Sequence, residues 1–204
     1  MLFRSPELAA VFKRIAFEGP QAFYEGEIAR DIVAAVNGHR VPGGMTMEDL
    51  AGYVAKERPP LCAPYRGLRV CGMAPPSSGG ATVAMMLGML ERFPLSKYKP
   101  LSPDAVHIFA ETGKMAYADR DQYLSDPDFL AQPLAQLLDR AYLRKRSREI
   151  NLTTANPKPA PGELKGVHVA LGEDRTEEQP ATSHLSVIDG EGNAIALTTS
   201  VESA

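Results

Sequence analysis

What the sequence lacks narrows its chemistry first. No uninterrupted apolar run approaches the roughly 20 residues that a membrane-spanning helix needs, so no segment is expected to cross a bilayer. The start, Met1-Leu2-Phe3-Arg4-Ser5-Pro6, lacks the charged region, apolar stretch and small-residue cleavage site of a signal peptide. Basic residues are dispersed apart from Arg144-Lys145-Arg146, and the formal net charge is −3. Nucleic-acid binding usually needs a concentrated basic face, so no nucleic-acid partner is expected. His39, His107 and His168 are scattered without metal-ligand spacing. No metal or cofactor is expected. The only cysteines, Cys62 and Cys71, flank a predicted turn; they could pair, but the expectation adopted is two small residues in a hairpin. Internal repeats and low-complexity tracts are absent.

What remains is ordinary globular material: 204 residues, 44% hydrophobic and 23% charged, enough for one sizeable core. Ser5 followed by Pro6 predicts a helix start, with Leu8, Val11, Phe12 and Ile15 on one face and Gly19-Pro20 as the stop. A second helix is predicted from about Glu25 to Asn37-Gly38. Thr46 with Asp49 reads as a capping box before a short helix. Residues 58–71 read as a hairpin around Tyr65-Arg66-Gly67. Ser77-Ser78-Gly79-Gly80 resembles an anion cradle but lacks a phosphate-loop lysine, so a helix N-cap is expected there, opening a helix from Ala81 to Phe93. Further helices are predicted from Ser102-Pro103 to about Leu124 and from Pro133 to about Arg148. Phe109, Tyr117 and Tyr123 on the first of these are expected as core or interhelical contacts. From Asn151 to Ala181 the chain is poor in apolar residues and rich in proline and charge, which reads as a mobile linker.

After that segment the pattern becomes strand, turn, strand. Thr182–Ile188 and Ala194–Glu202 alternate, joined by the turn formers Asp189-Gly190-Glu191-Gly192-Asn193. Pairing about Glu191 places Thr182 opposite Ser200, His184 opposite Thr198, Ser186 opposite Ala196 and Ile188 opposite Ala194. Opposed Cβ atoms lie roughly 4.5–5.5 Å apart, within reach of a hydroxyl–hydroxyl hydrogen bond. One face then carries Thr182, His184, Ser186, Thr198, Ser200 and Glu202, and the other Leu185, Val187, Ile195, Leu197 and Val201. The polar face could be a site or merely meet solvent, and a turn glycine could slip the register through a bulge. His184 reads as a packed or hydrogen-bonded residue. A lone hairpin is marginal, so more sheet is expected beyond Ala204.

Thr182-Ser183-His184-Leu185-Ser186-Val187-Ile188-Asp189, followed by Gly192-Asn193-Ala194-Ile195, resembles the nucleophile region of the gamma-glutamyltranspeptidase family. Phe23-Tyr24-Glu25-Gly26, Met47-Glu48-Asp49-Leu50, Tyr65-Arg66-Gly67, Pro75-Pro76-Ser77-Ser78-Gly79-Gly80 and Tyr117-Ala118-Asp119-Arg120 resemble other segments of that family in the same order. The resemblance covers nearly the whole chain. It implies an α+β chain holding the helical part and first hairpin of a four-layer α/β/β/α N-terminal-nucleophile hydrolase sandwich. It also implies an internal fragment: 1–150 the end of a large subunit, 151–181 the linker, and 182–204 the start of a small subunit.

The chemistry implied is self-cleavage between Ala181 and Thr182. Thr182 would then attack γ-glutamyl amides such as glutathione, with water or an amino acid or peptide amine as acceptor. A threonine hydroxyl needs a base, and the freed α-amine, with a pKa of roughly 7.7–8.0, can supply it. Ser200 stands where the family usually has threonine and would orient Thr182. Glu202 stands where many members have asparagine, and its carboxylate would accept from a substrate ammonium. The family's substrate-gripping arginine lies upstream of this chain and its oxyanion glycines downstream, so the chain alone is expected to be inactive. Periplasmic or extracellular location follows from the resemblance. Two alternatives stand: a glutaryl- or cephalosporin-type acylase, suggested by Glu202, and a non-catalytic helical scaffold.

Overall fold

Helix α1, Pro6–Glu18, starts where Ser5 accepts a hydrogen bond from the Leu8 amide and proline occupies the first turn. The computed structural model describes residues 5–167 and 182–200. A one-turn helix α2, Gln21–Tyr24, precedes α3, Gly26–Asn37, and α4, Met47–Ala51. The expected capping box opens α4: Thr46 Oγ1 accepts from the Asp49 amide while Asp49 accepts from the Thr46 amide. The Thr46 amide and hydroxyl, both donating to Asp49 Oδ2, hold the exposed Asp49 carboxyl below its usual range. Arg14 ties α1 to α3 through Glu27, at 2.8 Å. These four helices belong to one unit, Met1–Arg58; the second is Pro59–Ala204.

The second unit begins with an antiparallel hairpin, β1 Leu61–Tyr65 and β2 Leu68–Gly72. In its register Cys62 faces Cys71, and the two form a disulfide. This corrects the expectation of two unpaired small residues: direct opposition across the turn brings the sulfurs together. Arg66, at the turn, donates to the Phe93 carbonyl at 2.8 Å and to the Leu90 carbonyl, the last of the next helix, at 3.4 Å. That helix, α5 (Gly79–Leu90), is apolar nearly all round and correspondingly buried, with Met85 and Met89 fully enclosed. Ser78 precedes it, but its side chain makes no capping bond; its hydroxyl takes the Arg120 Nε at 3.2 Å instead.

Helix α6, Pro103–Tyr123, packs Ile108, Met115, Ala116 and Tyr123 into the core that α5 supplies. Phe109 and Tyr117 do not join it and stay exposed. The helix expected from Pro133 to Arg148 is instead two, α7 (Leu134–Leu137) and α8 (Arg140–Ser147). Asp139 causes the break, its carboxylate accepting from the Ala141 and Tyr142 amides as a new N-cap.

Residues 151–167 also differ from expectation. They form neither helix nor strand, yet side chains of α6 and α8 hold them, and Leu164 joins the core. They are a strap, not a mobile linker; residues 168–181 lie outside the described ones. A second hairpin, β3 (Thr182–Ile188) and β4 (Ala194–Ser200), completes the mixed helix-and-strand chain. Among the described residues the strands make two separate two-stranded sheets.

Candidate active site

Asp189 sets the geometry of the β3–β4 turn. Its Oδ1 accepts from the Glu191 and Asn193 amides, both at 2.9 Å, and its Oδ2 from Asn193 Nδ2 at 2.8 Å. The same bonds, that from the Asn193 side chain foremost, hold the carboxyl of Asp189 below its usual range. Gly192 takes the left-handed conformation, φ 87°, that closes the turn. No bulge follows. The register runs Ile188 to Ala194, Ser186 to Ala196, His184 to Thr198 and Thr182 to Ser200, as pairing about Glu191 requires.

Alternation then gathers the hydroxyls. Thr182 Oγ1 and Ser200 Oγ lie 2.7 Å apart. Beside them, His184 Nδ1 meets Thr198 Oγ1 at 2.8 Å and Nε2 meets Ser186 Oγ at 3.0 Å. Both ring nitrogens are thus engaged by neighbouring hydroxyls, the hydrogen-bonded role expected of His184. The other face carries Leu185, Val187, Ile195 and Leu197, all exposed. Ala181 and Glu202, and Val201 beside it, lie outside the described residues. His107 and His39 hydrogen-bond to the backbone, at the Asn151 and Val41 carbonyls. No group of three or more His, Cys, Asp or Glu that could hold a metal occurs among the described residues.

The arrangement suits a hydroxyl nucleophile at the start of a strand, oriented by a second hydroxyl across the ladder. The gamma-glutamyltranspeptidase family model matches residues 1–204. The chain belongs to the gamma-glutamyltranspeptidase family. It is 40% identical over 191 residues to the glutathione hydrolase proenzyme of Escherichia coli, covering 94% of this chain and 31% of that one. The structure of Helicobacter pylori gamma-glutamyltranspeptidase superposes with a TM-score of 0.69 at 34% identity, over 84% of this chain and 49% of that one. A cephalosporin acylase from Bacillus halodurans is also similar, with a TM-score of 0.74 at 27% identity, over 98% and 33% of the two chains. The chain spans about a third of the length of that Escherichia coli relative.

One arrangement was not expected from the sequence, the pairing of Asp119 with Arg146. Asp119, fully buried, pairs with buried Arg146 at 3.0 Å and accepts from Tyr142 and the Gly162 amide. Acidic residues at 111 and 119 on the face of α6 that also carries Met115 and Tyr123, with a Pro161-Gly162 step in the strap, were the signal.

Proposed function

We propose that this chain is the part of a gamma-glutamyltranspeptidase-type proenzyme that cleaves itself between Ala181 and Thr182. The observation that carries the proposal is the 2.7 Å contact between Thr182 Oγ1 and Ser200 Oγ on directly opposed strand positions. Thr182 Oγ attacks the Ala181 carbonyl carbon and gives up its proton as the Ala181–Thr182 C–N bond breaks. The amide nitrogen leaves as the α-amine of Thr182, and an ester remains. Water then hydrolyses the ester, giving the Ala181 carboxylate and restoring the threonine hydroxyl. In the mature protein that α-amine is the base for Thr182 and Ser200 orients it.

Thr182 then forms a γ-glutamyl ester from a glutathione-like donor and passes the acyl group to water or to an amino acid or peptide amine. Glu202 receives the donor's α-ammonium. On this reading 1–150 ends the large subunit, 151–181 leads to the cleavage point and 182–204 opens the small subunit, all within the four-layer sandwich that the resemblance implies. Export to the periplasm or outside is part of the proposal, supported by the Cys62–Cys71 disulfide, since such bonds persist in oxidising compartments. Among the described residues, no helix is long and apolar enough to cross a membrane.

A second reading, an acylase taking a glutaryl-like acyl group, is favoured by the likeness to a cephalosporin acylase and by the carboxylate at Glu202. The experiment is to assay the chain extended to its relatives' length against γ-glutamyl and glutaryl anilides. Faster release from the γ-glutamyl substrate supports the first reading, and the reverse order replaces it with the second.

A further inference from the structure

The hydroxyl pair stands at the end of its ladder away from the turn. Among the described residues Thr182 is the first of β3 and Ser200 the last of β4, while Asp189 closes the opposite end. Strand ends open at little free-energy cost, and two strands alone are marginal. The 2.7 Å contact between Thr182 Oγ1 and Ser200 Oγ therefore depends on what holds the strands together beside it. One step along the same face, His184 lies directly opposite Thr198.

The His184 ring is held at two points. Nδ1 meets Thr198 Oγ1 across the ladder at 2.8 Å, and Nε2 meets Ser186 Oγ on its own strand at 3.0 Å. Turning the ring over would put carbons in both places, so the two bonds fix its orientation. Only the Thr198 bond crosses between the strands; the Ser186 bond steadies the ring. Both partners are hydroxyls, which donate or accept. The bridge therefore persists in neutral imidazole, where one nitrogen donates and the other accepts, and in imidazolium, where both donate.

We infer that His184 and Thr198 are positioning residues for the Thr182 hydroxyl, their bond bracing the ladder one step before the Thr182–Ser200 pair. The inference rests on the proposed reaction of Thr182. Opposed Cβ atoms stay roughly 4.5–5.5 Å apart only while the strands are paired. Attack needs the reacting atoms within roughly 3–3.5 Å and aligned. When the end of the ladder opens, Ser200 leaves Thr182, whose hydroxyl then loses the partner that orients it. With both nitrogens engaged, His184 braces this geometry and takes no proton from Thr182.

The test uses the chain extended to its relatives' length. Wild type is compared with Thr198→Val, His184→Phe, their double variant, His184→Asn and Ser186→Ala. Thr198→Val keeps the branched shape without the hydroxyl, His184→Phe keeps the bulk of the ring, and His184→Asn keeps a nitrogen near the Nδ1 position. Two reactions of the same hydroxyl are followed. One is division between Ala181 and Thr182, by intact mass over time. The other is turnover by the divided protein of whichever anilide, γ-glutamyl or glutaryl, the wild type cleaves. Thr198→Val and His184→Phe are each expected to slow both reactions roughly two- to tenfold, through kcat with KM unchanged. The double variant is expected to be no slower than the slower single one. His184→Asn and Ser186→Ala are expected to stay within about twofold of wild type, with the same pH profile of kcat.

Wild-type rates in Thr198→Val overturn the inference and leave self-cleavage standing. So do additive losses in the double variant, or slowing by Ser186→Ala equal to that by His184→Phe. A loss in His184→Asn as deep as in His184→Phe overturns it too, and an altered pH profile alongside makes His184 a proton carrier. A wild-type protein that stays undivided refutes the self-cleavage reading itself, and the inference with it.

Discussion

At the scale of single residues, the hydroxyl pair carries the proposed chemistry. Ser200→Ala removes a hydrogen bond worth a net ~0.5–1.5 kcal/mol. The expected result is a loss in turnover of up to about tenfold in the mature protein, with Ser200→Thr retaining activity, as kcat/KM on a γ-glutamyl anilide will show. The buried Asp119–Arg146 pair makes a sharper prediction for stability. Asp119→Asn removes the buried carboxylate facing Arg146 and leaves it only the half-exposed Glu149 as counter-charge, which costs up to about 3–5 kcal/mol. In a unit of this size that lowers Tm by about 6–20 °C, measurable by thermal unfolding. Tyr142 stays a donor in this network throughout the working pH range, because burial, then its bond to Asp119, push its phenol far above the usual value.

At the scale of elements, the strap is sensitive to acid. Burial disfavours the Glu111 carboxylate, but Lys114, the Asn156 amide and nearby His107 outweigh it, holding its carboxyl below the ordinary range. A carboxyl depressed by folding contributes stability that is complete above its unfolded pKa of about 4.3 and fades as pH falls through the folded value. Hydrogen exchange at the Asn156 amide should therefore be protected at neutral pH and lose protection below about pH 4. In Glu111→Gln the protection should be weaker at neutral pH and flat across that range. Legibility in the sequence divided along the same line. The β3–β4 register and its hydroxyl face could be read, because alternation and turn residues are local signals. Asp139 hid the α7–α8 break, since a capping aspartate inside a helix-like run has no periodic signature. Strap residues 151–167 were misread because a segment anchored through its backbone needs few apolar side chains. Phe109 and Tyr117 misled in the opposite sense: aromatic identity suggested core or interhelical contacts, while both side chains stay exposed among the described residues.

At the scale of the whole molecule, the chain holds both the hydroxyl pair on β3 and β4 and the strap at residues 151–167. The 204-residue chain alone should release no product from a γ-glutamyl anilide, since removing even one oxyanion-hole donor from an acyl-transfer enzyme costs roughly 10²–10³ in rate. Steady release by the purified chain would contradict that. The most direct measurement of the central claim is the intact mass of the protein extended to its relatives' length, beside its Thr182→Ala variant. The account predicts two polypeptides divided between Ala181 and Thr182 in the wild type and one undivided chain in the variant. An undivided wild type, or the same division in Thr182→Ala, would contradict it.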